Sequence, residues 1–230
     1  MNLHLSQDDE ADALLSSNPF ALLVGMVLDQ QVPLEWAFAS PLELQRRLGA
    51  NLDANDIAAM DPDRLSASFS AKPALHRYPG SMATRVHELA RRIADDYEGR
   101  AEHLWRGAAS GTELFKRVKA LPGFGEQKAK IFVALLGKQL GVRPEGWKAV
   151  SAPYSDRGSH RSVADITSPE TLQQVRLFKQ GLKAAHKASA AKSGAAKAGR
   201  GPKATGAAPA VAPKQAAASA PTAKKAAARR

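Results

Sequence analysis

Apolar side chains recur at helical spacing along much of this chain. Val86, Leu89, Ala90, Ile93 and Tyr97 fall at i, i+3, i+4, i+7 and i+11, one stripe of an amphipathic helix that Gly99 closes. Leu114, Phe115, Val118 and Leu121 form a second stripe, and residues 131–140 a third, denser one. Residues 19–28 (PFALLVGMVL) are apolar nearly all round, which marks a buried central helix with Asn18 as its cap. Pro41 and Gly49 bracket a further helix, and Asp61 and Pro62 serve as cap and first residue of another. No segment shows the alternation of period two that a half-buried strand needs. The pattern predicts an all-α fold.

It also predicts where the fold stops. Residues 183–230 hold one Val, no Leu, Ile or aromatic residue, and abundant Ala, Lys, Pro and Gly. Such a segment buries too little apolar surface to offset its chain entropy and is expected to be disordered. The helical domain then covers residues 1–182. Eleven of the 33 Lys and Arg residues lie in the tail and none of the 22 Asp and Glu residues does. The domain is therefore neutral on paper, and the net charge of +11 belongs to the tail. A purely cationic tail gathers phosphates by charge without reading sequence, unless it serves only as a solubilising appendage.

The chain has no cysteine, which removes disulfides, thiolate zinc sites, iron–sulfur clusters and cysteine nucleophiles together. The acidic start, MNLHLSQDDEADALLSS, does not read as a signal peptide, and no run of 18 apolar residues occurs, so a soluble cytoplasmic protein without membrane contact is expected.

The chemistry concentrates in residues 113–137, ELFKRVKALPGFGEQKAKIFVALLG. Two helices flank a tight turn, Leu121-Pro122-Gly123-Phe124-Gly125. Gly123 and Gly125 allow backbone conformations and close approach that a side chain would block. The amides that follow open a helix N-terminus, an arrangement suited to a phosphate oxygen, with Lys128 and Lys130 adding charge nearby. The apolar Leu121, Pro122 and Phe124 pack while the turn presents its backbone.

LPGFGEQKA resembles the helix-hairpin-helix of the HhH-GPD superfamily of DNA glycosylases, written L-P-G-x-G-x-x-x-A. Residues 21–33, ALLVGMVLDQQVP, are similar to the superfamily's early buried helix and its glutamine-containing end, and 72–97 to the loop and helix before the hairpin. The resemblance covers residues 18–150 and is greatest to a small group of uncharacterised bacterial proteins that continue, as here, into RPEGW and SVAD. It implies a two-lobed helical fold and a monomeric, nucleoid-associated enzyme of base-excision repair acting on double-stranded DNA. Gln31, with Gln30 beside it, would enter the gap left by a flipped nucleotide, and the hairpin (Gly123, Phe124, Gly125, Lys128, Lys130) would bind the backbone.

The resemblance also implies an acid that stabilises the sugar as it turns cationic. At the matching place, GVRPEGWKAV, the acid is Glu145, unless Glu145 merely opens a short helix; Asp156, Asp165 and Asp29 are alternatives. Relatives that also cleave the strand carry a lysine where this chain has Gln127, and Lys128, about 100° further round the helix, is expected to face elsewhere. A monofunctional glycosylase without lyase activity follows. Met26 stands where adenine glycosylases carry a catalytic glutamate, which speaks against that substrate. No metal or organic cofactor is implied; a monovalent cation at the hairpin stays open. His76, Arg77, Tyr78, His103, Trp105 and Trp147 are candidates either for a base pocket or for packing, and Arg157, His160 and Arg161 for phosphate contact. The alternative function is a non-catalytic DNA-binding or nucleoid protein on the same scaffold.

Overall fold

A computed structural model describes residues 2–198, with side chains through residue 185. The elements are α1 (Asp9–Ser17), α2 (Pro19–Leu28), α3 (Leu34–Leu48), α4 (Ala54–Ala59), α5 (Pro62–Ser70), α6 (Pro79–Tyr97), α7 (Gly111–Lys119), α8 (Glu126–Gln139), α9 (Trp147–Ser151) and α10 (Pro169–Ala198). Single 3₁₀ turns lie at Ala101–Leu104 and Val163–Asp165, and no strand occurs among the described residues. The protein is all-α.

Local chemistry sets the helix starts. The Asn18 carboxamide accepts from the amides of Phe20 and Ala21 at 2.9 and 3.1 Å with Pro19 as first residue, and Asp61 does the same for Asp63 and Arg64 ahead of α5. From Phe20 to Leu28 every residue of α2 is buried. Helices α1, α3 and α6 pack around it, and Gly25 lets α3 approach: a Cβ there would fall 2.7 Å from the Phe38 ring. Helix α8 is the second centre, buried from Phe132 to Gly137 under α7 and α9. Both centres belong to one hydrophobic core.

Two expectations about boundaries change. Pro41 does not open a helix; it lies inside α3, buried, with Gly49 closing the helix at φ +67°. The missing amide at Pro41 costs one rung, but burial of Ala37, Phe38, Leu42 and Leu44 carries the helix across it, and the Ser40 hydroxyl donates to the carbonyls of Trp36 and Leu75. At the other end, α10 runs on to Ala198, past the point where order was expected to end. Ala and Lys are strong helix formers, so local propensity extends a helix that has no apolar face left to bury. The chain divides into two units, Met1–His186 and Lys187–Arg230. The rest of the expected tail, residues 199–230, lies outside the described residues.

Candidate nucleic-acid interface

The hairpin glycines answer to different constraints. Leu121 and Phe124 anchor the turn from below, and the Phe124 ring meets Phe132 edge-on at 5.8 Å. Gly123 sits at φ +80°, the left-handed region that side chains avoid, with the Val27 methyls 3.5 Å from where its Cβ would be. Gly125 has an ordinary φ of −78°, and nothing lies within 4 Å of its Cβ position. The absent side chain at Gly125 leaves open space in front of the α8 N-terminus. No side chain caps that terminus, so the first amides of α8 have no acceptor within the helix. Glu126, the acid in this first turn, is held by Lys130 at 3.1 Å and Lys119 at 3.5 Å, and the Lys130 bond keeps its carboxyl below the ordinary range.

Lys128 ties the hairpin to the end of α2. Its Nζ donates to the Met26 carbonyl at 2.6 Å and the Val27 carbonyl at 3.3 Å, and lies 5.9 Å from the centre of the Phe124 ring. Burial lowers the amine to a pKa of about 8 against the pull of the Asp29 charge, and Arg85 pushes it the same way as burial. Helical spacing alone turns Lys128 away from the site; the cleft wraps the first turn of α8, so Gln127 and Lys128 both line it. With them stand Asp29, Gln30, Gly123 and Gly125, around about 340 Å³ floored by Met26 and Ile131. Asp29 also lines a neighbouring groove of about 320 Å³ whose far wall is α10, with Arg176, Lys179 and Lys183 at i, i+3 and i+7. Arg176 pairs with Glu35 across it.

The two glutamines differ sharply. Gln30 is fixed: its amide donates to Val27 at 2.5 Å, its side-chain oxygen accepts from Arg85 at 2.6 Å, and its backbone carbonyl contacts His76 Nε2 at 2.9 Å. His76 is buried, and its Nδ1 accepts from the Tyr78 amide at 3.0 Å, so Nε2 carries the proton to Gln30. Desolvation holds the His76 pKa below its usual value, in keeping with this neutral form. Gln31 is exposed at φ +56°, and among the described residues its side chain makes one hydrogen bond, accepting from the Tyr78 hydroxyl at 3.4 Å. Left-handed backbone at a non-glycine residue costs free energy and recurs at functional loops.

Of the four candidate carboxylates, one reaches this cleft. Asp29 lines it, whereas Glu145 is exposed and does not, its backbone carbonyl accepting instead from Gly111 at 2.7 Å. Asp156 is exposed elsewhere. Asp165 is buried in a fixed network, bonded to Lys138 at 2.5 Å, to Ser159 and to the amides of Arg161 and Ser162. Phe124 contributes through its backbone, since its ring is buried, and Lys130 is occupied by Glu126.

Among the aromatic candidates, Tyr78 is exposed beside Gln31, with Arg77 stacked over it at 5.5 Å. Trp105 packs on Phe132 and Trp147 against Gly137, and His103 lies beside Glu98. Exposed Trp36, 6.4 Å from the His76 ring, carries no signal in the sequence. The α10 cations do carry one, in their helical spacing. Among the described residues no group of His, Asp and Glu is arranged to hold a metal ion, and no single helix is long and apolar enough to cross a membrane. Comparison with protein families, with curated proteins and with solved structures finds no match for this chain.

Proposed function

We propose that this chain is a DNA glycosylase of HhH-GPD type, working as a monomer, which binds double-stranded DNA at the hairpin and hydrolyses the N-glycosidic bond of a flipped, damaged nucleotide in the cleft beside Asp29. One observation carries the reading: the hairpin glycines, the open α8 N-terminus, a carboxylate and the glutamine loop, about 100 residues apart in sequence, line or adjoin a single cleft. The α8 amides hold phosphate oxygens. Gln31 fills the stack that the flipped nucleotide leaves. As the bond from C1′ to the base nitrogen breaks, the base departs with the electron pair. The Asp29 carboxylate offsets the positive charge left on the sugar, and water then adds at C1′, its released proton neutralising the departed base.

Lys128 adds a second route. With a pKa of about 8 its amine is neutral in roughly one molecule in ten at pH 7 and in half at pH 8, and a neutral amine can attack C1′ in place of water. The base leaves with the electron pair of the broken bond and takes up a proton from the amine, and opening of the C1′–O4′ bond then gives the C1′ iminium that borohydride reduces. The test is base release from duplexes that each bear one defined lesion, read by alkaline cleavage at the abasic product. Asp29→Asn is expected to slow release about 100-fold or more while DNA binding persists, and Glu145→Gln to change neither. Borohydride trapping of a covalent complex, rising between pH 7 and 8.5 and absent in Lys128→Gln, would assign the amine route; no trapping assigns release to water.

The exposure of Glu145, the acid at the matching place in the sequence, favours the alternative of a non-catalytic DNA-binding protein. Binding without release on any lesion, in the parent and every variant, is its expected outcome.

A further inference from the structure

A second concave site lies on the far end of α8 from the hairpin turn, and the proposed chemistry makes no use of it. The end of α8, the loop to α9 and the loop after α9 enclose about 450 Å³, which is more than the cleft at the hairpin and within the usual range of small-ligand sites of about 300–1,000 Å³. Its wall carries Lys138, Arg143, Lys148 and Arg157, and no carboxylate. Lys138 is already balanced by Asp165 and bonded to Ser159. Among the described residues Arg143, Lys148 and Arg157 pair with no acid, and residues 186–230 contain no Asp or Glu that could reach back to them.

The pocket is built as well as charged. Arg143 donates from Nε to the Gly137 carbonyl at 2.8 Å, which fixes the guanidinium at the end of α8 and leaves its two terminal nitrogens for a ligand. Trp147 forms an apolar wall, seated on Gly137, where any Cβ would collide with its ring, and Lys148 lies over the ring at 5.9 Å. The Ser155 hydroxyl is spent on the Lys148 carbonyl at 2.7 Å, so the donors left for a ligand are cationic. Three unpaired cations around one hollow focus a positive potential that a neutral ligand cannot satisfy. Two planar guanidinium groups suit the oxygens of a phosphate better than a monovalent halide.

We propose that Arg143, Lys148 and Arg157, against Trp147, form a second anion site, separate from the hairpin cleft, which binds a phosphate ester of nucleotide size. The phosphate comes either from a free mononucleotide or from the backbone of a nucleic acid, and the two sources are separable. The full chain is titrated calorimetrically, at constant ionic strength, with deoxyadenosine monophosphate, with deoxyadenosine and with a short DNA duplex. The double variant Lys148→Gln with Arg157→Gln keeps the whole tail and removes two exposed side chains with no ion pair, so its melting temperature should match the parent's.

Saturable binding of the monophosphate, no heat from the nucleoside, and a loss of affinity of about tenfold or more in the double variant are the expected results. If the monophosphate gives no heat but the duplex binds the variant about tenfold more weakly, the phosphate is that of the DNA backbone and the site stands. Equal binding of both ligands by parent and variant assigns the phosphates to other cations and overturns the site, as does an absence of binding to either.

Discussion

Gly123 and Gly125 look interchangeable in the sequence, and the structure separates them. Gly123 occupies a left-handed backbone position, where a Cβ costs about 1–2 kcal/mol, so Gly123→Ala should lower the melting temperature and leave any fall in DNA binding hard to interpret. Gly125 has an ordinary φ and open space at its Cβ position. Gly125→Val should therefore fold with nearly the parent's melting temperature yet bind duplex DNA about tenfold or more weakly, because the branched side chain fills the approach to the α8 amides. Thermal denaturation with fluorescence anisotropy separates the two effects, and unchanged affinity in folded Gly125→Val would take the hairpin out of the interface. The need for two glycines was legible in LPGFGEQKA; which one the backbone requires and which one a ligand would require was not, because that depends on φ and on what stands opposite. The acid shows the same limit. Counting along the chain leads to Glu145, while the carboxylate in the cleft is Asp29, the residue that ends the buried helix α2.

The join between α2 and the hairpin depends on a lysine that behaves unlike its neighbours. The sequence shows α2, α6, α7 and α8 well, since each has a periodic apolar face. It misplaces the start of α3, where a proline inside a buried helix reads as a boundary, and it misses α10, whose buried residues are few, Leu172 and Val175 among them. Nor does spacing show that Lys128 crosses to the α2 carbonyls. Its folded pKa of about 8 lies below the ordinary 10.5, so between those values the unfolded chain binds a proton that the folded chain has released. Folding stability must then rise with pH in that window, and below pH 8 the cost of burying the charged amine is fully present. Urea unfolding at pH 7.5 and 9.5 should show a gain of about 2 kcal/mol or less, absent in Lys128→Met. A parent whose stability is flat or falling across this range would mean that Lys128 is well hydrated and does not hold the α2 carbonyls.

Charge is distributed unevenly along the protein. Residues 1–182 are neutral, yet the groove beyond Asp29 is walled by Arg176, Lys179 and Lys183, a cationic stripe on α10 of the same sign as the tail's charge excess. That excess was legible by counting, and its continuation into a groove was not, because a stripe says nothing about what it faces. Ten Lys or Arg residues lie in 187–230. Removing that segment should lower duplex affinity and flatten the slope of log K against log salt by up to about 0.9 for each phosphate no longer neutralised. An unchanged slope would confine DNA binding to the helical unit.

Because the chain has no cysteine, a single thiol can report where DNA lies. Gln31→Cys, at the exposed tip of the loop beside the cleft, is to be mixed with duplexes carrying a disulfide-activated tether at one base, and Asp95→Cys, exposed on α6 and lining neither the cleft nor the second anion site, serves as the comparison. Rapid cross-linking by Gln31→Cys, little by Asp95→Cys, and suppression of the first by Gly125→Val is the pattern expected if the hairpin and the glutamine loop grip one duplex. Cross-linking that is equal at the two positions, or faster at Asp95→Cys, would contradict DNA binding at this cleft.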